Sequence, residues 1–234
     1  MPRHPTARRV HRPVEASDAF VARTFELLEW ARRHARLLTI AGAIAIVAGG
    51  AALYARNYQR ALAAKAASQL ATVRQTAASG NRALAIRDLE GFLHDYGGTP
   101  AGNEARLLLA QLQLQEGKPD QAAAAVRELA EKPTDPLRVA AAFLLAAAHE
   151  AAGRTAEAEQ VYLRVAERAE FPFQRRDALD AAARLRMERG DARGAAELYD
   201  RLLALTEKTA PERAIYEMRR AEALARAEAA TGGS

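Results

Sequence analysis

The chain of 234 residues contains no cysteine and few aromatic residues. Without cysteine it has no disulfide framework and no thiol nucleophile, and this absence suits a reducing or an oxidising compartment equally. Aromatic residues make up 6% of the sequence, and much of its apolar content is alanine. Because strands favour branched and aromatic side chains, this composition favours helices packed through small residues over a sheet.

Charge is absent from the nineteen residues 37–55 (LLTIAGAIAIVAGGAALYA). A helix of that length is about long enough to cross the ~30 Å hydrocarbon core of a bilayer, whereas a buried core helix is usually shorter. The sequence therefore predicts a transmembrane helix over residues 37–55. A cleaved signal peptide is the alternative, since Leu53-Tyr54-Ala55 permits cleavage, but its positive region would have to be 36 residues long.

The net charge of +5 lies mostly before the span. Residues 1–36 hold eight arginines and four acidic residues, whereas residues 56–234 hold 26 basic and 25 acidic residues. Basic charge beside a span marks the cytoplasmic side and contacts anionic lipid, so it does not indicate a nucleic-acid partner. The sequence predicts a single-pass protein of the inner (cytoplasmic) membrane, with residues 1–36 cytoplasmic and residues 56–234 periplasmic or otherwise extracytoplasmic.

The segments before and within the span carry two further patterns. Residues 1–18 are rich in proline and arginine and are predicted to be disordered, whereas the rest of the cytoplasmic tail predicts a short amphipathic helix or a solvated lead-in. One face of the span consists of small residues that permit close packing with a membrane partner. These residues are Ala41, Ala45, Gly49 and Ala52.

After the span, a pattern recurs every 36–37 residues. Each of four glycines is followed after five residues by alanine and after nine by a larger apolar residue. The glycines are Gly80, Gly117, Gly153 and Gly190, and the alanines are Ala85, Ala122, Ala158 and Ala195. The larger apolar residues are Leu89, Val126, Tyr162 and Tyr199. Glycine tolerates the positive φ of a tight turn between helices, and alanine permits close helix approach. Pro100, Pro136, Pro172 and Pro211 suit the first turn of the next helix.

The pattern predicts four helical hairpins in residues 56–234 and a final capping helix at 211–229 with charges on several faces. The first helices are predicted at 57–79, 101–116, 136–152 and 172–189, and the second helices at 82–96, 119–131, 155–170 and 192–206. The helix at 57–79 follows the span without an intervening proline or glycine, so one long helix is expected there.

The glycine, alanine and large apolar residue of each unit resemble the tetratricopeptide repeat. Its Leu-Gly pair is represented by Leu109-Ala110 and Leu145-Ala146. The resemblance implies an all-α fold: a transmembrane helix followed by a right-handed solenoid of about four tetratricopeptide-like hairpins with a capping helix. The repeat is divergent, because larger residues replace a small alanine of the family pattern: Phe92, Leu129, Val165 and Leu202.

The layout of cytoplasmic tail, single span and repeat domain resembles the single-span ancillary subunits of the bacterial Sec translocon, most of all over residues 20–50 (FVARTFELLEWARRHARLLTIAGAIAIVAGG). This resemblance implies a chaperone-like subunit whose partners are translocon subunits, a membrane-anchored chaperone and exported chains. A scaffold in outer-membrane assembly, cytochrome maturation or cell division would share the same features and stays open.

Residue patterns for catalysis are missing from the sequence. None of the histidines pairs with a second ligand at metal-binding spacing, and there is no phosphate-binding glycine loop or nucleophile elbow. The histidines are His4, His11, His34, His94 and His149. We therefore predict no enzyme activity, cofactor, metal or small-molecule substrate.

Function is instead predicted to lie in protein binding. In tetratricopeptide stacks the first helices line the concave face, and alignment on the turn glycines predicts the residues of a protein-binding groove there. These residues are Glu104, Leu107, Gln111, Leu114, Phe143, Ala147, Glu150, Asp177, Asp180, Arg184 and Met187.

Overall fold

A computed structural model describes Trp30 and residues 32–232. The described residues form helices and turns without a strand, and they divide into two units between Arg60 and Ala61. The predicted disordered segment 1–18 and nearly all of the predicted amphipathic stretch lie outside the described residues.

The first helix, α1, covers Ala35–Ala78 and includes the uncharged segment. By length and composition alone, it is the one described helix that could cross a membrane. Its apolar side chains are exposed, with Ile46 at 76% and Val47 at 71%, whereas the core helix of a soluble protein would bury such residues. These features are compatible with a single-pass anchor.

The helices of the repeat domain match the predicted bounds to within about three residues, and the predicted all-helical solenoid of hairpins is confirmed. Each first helix is followed by an antiparallel second helix, and the last helix closes the stack. After α1 the helices are α2 (Arg82–Tyr96), α3 (Pro100–Gln115), α4 (Pro119–Ala130), α5 (Pro136–Ala151), α6 (Thr155–Arg168), α7 (Pro172–Glu188), α8 (Ala192–Ala204) and α9 (Arg213–Gly232).

The turn within each hairpin is made by a glycine in the left-handed region of backbone space. The φ values are +87° at Gly80, +69° at Gly117, +73° at Gly153 and +83° at Gly190. In the second hairpin the Lys118 N–H donates to the Gln113 carbonyl (2.8 Å), which closes the end of α3 in the Schellman manner. A residue with a side chain would be strained at these positions, so glycine is needed at each point where the chain reverses direction.

Proline is the first residue of α3, α5 and α7, and a side chain caps the first two of these helices. Pro211, predicted in the first turn of the last helix, instead precedes α9, which begins at Arg213 because the connection before it is longer. Asp135 Oδ1 accepts hydrogen bonds from the Leu137 and Arg138 N–H groups (both 3.1 Å) at the start of α5. Thr99 Oγ1 accepts one from the Gly102 N–H (3.1 Å) at the start of α3. Proline costs nothing at this position because its missing N–H would have no partner within the helix.

Small residues bring the helices together, and larger ones fill the space between hairpins. The alanine that follows each turn glycine by five residues is fully buried, and so are Leu89 and Val126, whereas Tyr162 and Tyr199 are buried except for 5% and 4% of their surfaces. The core has two apolar clusters, one formed by α1, α2 and α3 and one extending from α3 to α9. The stack is therefore held chiefly by contacts between neighbouring helices, as in other repeat solenoids.

A buried ion-pair cluster joins the third and fourth hairpins. Glu159 of α6 is paired with Arg186 (2.6 Å) and with Arg189, and only 8% of the Glu159 side chain is exposed. Arg186 also donates to the Gly194 carbonyl (3.2 Å). Because both Glu159 oxygens have cationic partners, this buried carboxylate is satisfied and fixes α6 against α7.

His149 of α5 makes the stability of the domain depend on pH. Burial lowers its pKa below the ordinary 6.5, and neighbouring Arg154 acts in the same direction while Glu157 opposes it. His149 Nδ1 lies 3.1 Å from Arg154 Nε and 3.0 Å from Glu157 Oε2, so a cation and an anion oppose each other at this nitrogen and burial decides the direction of the shift. A histidine with a lowered pKa in the folded state stabilises the fold fully above pH 6.5 and loses that contribution as pH falls toward its folded pKa.

We therefore expect the free energy of unfolding of the domain to fall as the pH is lowered below about 6.5. Replacing His149 by glutamine removes the titrating group and should flatten this part of the profile. The measurement is chemical unfolding of both proteins at several values between neutral and mildly acidic pH. Parallel profiles for the two proteins would show that His149 does not carry the dependence.

Several charged residues of helix α9 have partners in the preceding hairpin. Arg219 pairs with Asp180 of α7 (2.5 Å) and Arg220 with Asp200 of α8 (2.5 Å), whereas Glu217, Glu222 and Arg226 are exposed, so charges lie on several faces of the helix. Arg213 donates to the Leu203 and Thr206 carbonyls (3.1 and 3.0 Å). These arginines lie toward the preceding hairpin because acidic side chains and free helix-end carbonyls are available there.

Candidate functional site

The predicted groove residues lie on three first helices, and none of them is fully buried. Helix α3 carries Glu104, Leu107, Gln111 and Leu114; α5 carries Phe143, Ala147 and Glu150; α7 carries Asp177, Asp180, Arg184 and Met187. The charged members and Gln111 are exposed or half-buried, whereas Leu107, Leu114, Phe143 and Met187 are partly buried against the core. The apolar members therefore pack against the core and also contribute apolar area to the surface of the face.

The structure brings several of these residues into one groove of about 590 Å³ between α1 and α3. Its lining is mainly apolar, and its polar groups are two amides and one ion pair. The lining residues are Arg74, Ala77, Ala78, Glu104, Leu107, Leu108, Gln111, Leu112 and Gln115. Arg74 donates to Glu104 across the two helices (2.5 Å). Both side chains are about half exposed, so the pair neutralises the groove more than it stabilises the fold.

The α1 side of this groove was missed by the sequence prediction. Arg74 and Ala77 precede Gly80 by the same six and three residues by which Gln111 and Leu114 precede Gly117. Applying the spacing to the first turn glycine would have identified both residues.

In the centre of the face, predicted residues contact one another. Phe143 packs against Tyr162 with ring centroids 5.4 Å apart. Glu150 accepts hydrogen bonds from the Tyr162 hydroxyl (2.7 Å) and from Arg184 Nη2 (2.6 Å). Burial and the bond to Glu150 raise the pKa of Tyr162 well above its usual value, so the hydroxyl stays a donor. Phe143 thus packs against the tyrosine that positions Glu150, and Glu150 in turn binds Arg184.

A second cleft of about 340 Å³ lies between α7, α8 and α9 and is strongly charged. Asp180 and Arg184 line it together with Tyr199 and Arg219. The hydrogen bond that Arg219 donates to Asp180 raises the pKa of Arg219, and burial raises the pKa of Tyr199. Arg184 also donates to Glu188 (2.8 Å). The cations of this cleft thus already have acidic partners within the domain.

Ion pairs join neighbouring first helices along the face, with one interruption. They connect α1 to α3 (Arg74–Glu104), α5 to α7 (Glu150–Arg184) and α7 to α9 (Asp180–Arg219). Within the part of the chain that the structure describes, no ion pair joins α3 to α5. The face is therefore least charged from the α1–α3 groove toward α5, where Gln111 and Ala147 take the positions equivalent to Arg74 and Arg184.

Metal chemistry has no support at this face. Within Trp30 and residues 32–232, no group of three or more acidic or histidine side chains is placed to hold a metal ion. Partial burial raises the pKa of Asp177, Arg176 opposes that shift, and Asp177 is not among the residues that line the charged cleft. The geometry of the face suits contact with another protein.

Stacked helical hairpins with positive-φ glycine turns and a lined concave face define a protein of the helical-repeat class, whose members mediate protein–protein interaction. The sequence profile described as "Tetratricopeptide repeat-like domain" matches residues 29–226. The chain belongs to this family.

Solved structures show the same fold. The nearly identical tetratricopeptide-like repeats of a Podosopora anserina protein described as a kinesin light chain share 21% identity, with a TM-score of 0.54 over 70% of this chain and 87% of that chain. The MamA protein shares 17% identity, with a TM-score of 0.51 over 70% of this chain and 88% of its own. No curated protein matches the sequence. These likenesses establish the fold alone.

Proposed function

We propose that this chain is a membrane-anchored protein-binding subunit that acts beside the Sec translocon and recruits partners for, or handles, envelope proteins as they emerge. Residues 37–55 form the anchor, residues 1–36 are cytoplasmic and the repeat domain is outside the cytoplasm. The observation that carries protein binding is the groove between α1 and α3, which is open, mainly apolar and internally neutralised.

The chemistry of the groove favours an apolar face of a protein segment over a charged ligand. Leu107, Leu108 and Leu112 offer apolar contacts, while Gln111 and Gln115 can both donate and accept hydrogen bonds. Arg74 and Glu104 neutralise each other, so neither sign of charge is attracted strongly. A helical or extended segment with apolar anchors fits this arrangement.

The anchor supports a partner in the same membrane. Arg74 follows Ala55, the last residue of the proposed span, by 19 residues. A tether this short limits how far the groove can move from the bilayer and raises the effective concentration of partners there. The translocon assignment rests on the layout of tail, span and repeat domain, and a scaffold of another envelope complex is the competing outcome.

The topology is tested by fusing alkaline phosphatase after Ser234. We expect an active fusion in cells, because the enzyme matures only outside the cytoplasm, and we expect the chain to resist extraction by alkaline carbonate. A well-expressed but inactive fusion, or release of the chain by carbonate, would refute the proposed anchor or its orientation.

The partner is tested by placing a photocrosslinker at Gln111, Phe143 or Arg184 in the full chain in intact membranes. We expect capture of translocon subunits, a membrane-anchored chaperone or exported chains. Consistent capture of division or outer-membrane assembly factors instead would favour the scaffold alternative and reject the translocon assignment.

A further inference from the structure

Helix α3 places two amide side chains in the groove between α1 and α3. Gln111 and Gln115 line this groove and are exposed, and neither side chain forms a hydrogen bond with another residue that the structure describes. Each amide has two N–H donors and a carbonyl acceptor. The groove therefore offers hydrogen-bonding groups that an occupant can use.

This pair of amides is specific to α3 among the four first helices. It occupies the positions six and two residues before the turn glycine, and the other first helices carry different residues there. These are Arg74 and Ala78 on α1, Ala147 and Ala151 on α5, and Arg184 and Glu188 on α7. The amides are thus a feature of this groove and not of the repeat pattern.

The spacing of the two amides matches the backbone of an extended polypeptide. Residues four apart on a helix lie on the same side, about 6 Å apart along its axis. In an extended segment the N–H and C=O of one residue face the same edge, and every second residue repeats this arrangement after about 6.6 Å. Gln111 and Gln115 can therefore bond two alternate residues, each amide donating to a carbonyl and accepting from an N–H.

The apolar lining of the groove has the same interval. Leu108 and Leu112 are also four residues apart and form a row beside the row of amides. Both leucines are more deeply buried than the amides. Side chains on one face of an extended segment are again about 6.6 Å apart. Two alternate apolar side chains can therefore contact these leucines while the backbone lies along the amides.

We propose that the groove binds an extended, uncharged segment of another polypeptide with apolar residues at alternate positions, and that Gln111 and Gln115 recognise its backbone. The inference rests on the proposed role of the groove in protein binding and specifies the form that the partner takes there. From Glu104 to Gln115 the groove follows α3 for about 16 Å, the length of about five extended residues.

A helical segment satisfies the amides less well than an extended one. The backbone groups in the interior of a helix are bonded to one another, so a helix would cover Gln111 and Gln115 without replacing the water that they lose. Backbone groups are the same in nearly every residue, so an extended occupant is recognised largely without regard to its sequence. This property suits a subunit that handles many exported chains.

Peptide binding to the full chain in detergent tests the inference. The probe is a fluorescently labelled peptide of seven residues with blocked ends, in which leucine and threonine alternate, and fluorescence anisotropy measures its affinity. Gln111→Met and Gln115→Met keep the approximate size of each side chain but remove its hydrogen bonds. We expect each change to weaken binding about tenfold, whereas Gln160→Met, at an exposed position on α6, should leave the affinity unchanged.

Modified peptides distinguish recognition of the backbone from a loss of packing. One peptide is N-methylated on all its leucines and another on all its threonines, so each lacks the N–H donors of one edge of the extended segment. We expect one of them to bind about tenfold more weakly than the other. Gln111→Met should weaken that peptide much less than it weakens the unmodified one, because the bond is already lost.

The outcomes separate this inference from the proposed function. Equal affinities of the two methylated peptides, or normal binding of the unmodified peptide by Gln111→Met and Gln115→Met, would reject backbone recognition. Absence of peptide binding while the Gln111 photocrosslinker still captures a partner in membranes would reject an extended occupant but retain the groove as a protein-binding site. Failure of both peptide binding and capture would reject the proposed function itself.

Discussion

Replacing Ala158 by phenylalanine is expected to destabilise the repeat domain by about 1–3 kcal/mol, the usual cost of overpacking a core. Ala158 is fully buried in α6, five residues after the turn glycine of the third hairpin, where α6 packs closely against its neighbours. The added ring can be accommodated only by separating helices. Urea unfolding of residues 56–234, which we expect to form a separate helical domain, measures the change.

The matched control for this change lies two residues earlier on the same helix. Ala156 is exposed, so Ala156→Phe should leave the unfolding midpoint almost unchanged. Equal destabilisation by the two substitutions would mean that burial of Ala158 does not cause the effect. An unaffected Ala158→Phe protein would contradict the tight packing of the third hairpin.

Filling the groove between α1 and α3 should abolish partner capture while leaving the fold intact. Ala78 is exposed at the end of α1 and lines the groove, so Ala78→Trp places an indole over the apolar surface without entering the core. A loss of at least about tenfold in captured partner is expected, because blocking a central apolar contact typically costs more than 1 kcal/mol. Quantitative recovery of the partner with the tagged full chain is the readout.

Ala124→Trp makes the same exchange at an exposed position on α4, a second helix. It should retain normal capture and provides a measure of any nonspecific effect of an added tryptophan. If both proteins lose the partner equally, or if Ala78→Trp retains it fully, binding does not depend on the groove.

The fold could be predicted from the sequence because its strongest constraints are local and repeated. Gly117 and Gly153 are needed where the backbone has positive φ, and Asp135 with Pro136 provides a cap and a first residue for the helix that follows. Each of these signals depends on residues within one turn of the helix. Their recurrence at one interval then specifies how the hairpins stack, since every unit packs on the next in the same way.

The pairing of side chains across the concave face could not be obtained in the same way. Arg184 lies 34 residues from Glu150, and Arg219 lies 39 residues from Asp180. These separations differ, and Arg74 lies only 30 residues from Glu104, so no single interval identifies the pairs. Long charged side chains also reach partners on either neighbouring helix, and this choice depends on packing that the sequence pattern does not contain.

The contacts of the α9 arginines with the preceding hairpin are a second feature that the sequence pattern did not reveal. Arg213, Arg219 and Arg220 look like ordinary solvent-facing charges when only their spacing is considered. Their inward direction follows from Asp180, Asp200 and the free carbonyls at the end of α8, which are known only once the fourth hairpin is built.

The central claim, that the groove between α1 and α3 holds a protein partner at the membrane, is tested most directly by comparing photocrosslinkers at two positions in intact membranes. One is at Gln111 in the groove and the other at Gln160, which is exposed on the second helix α6. The account predicts a discrete protein adduct from Gln111 that disappears in the Ala78→Trp protein, and little adduct from Gln160. An adduct formed mainly from Gln160, or one from Gln111 that survives Ala78→Trp unchanged, would contradict it.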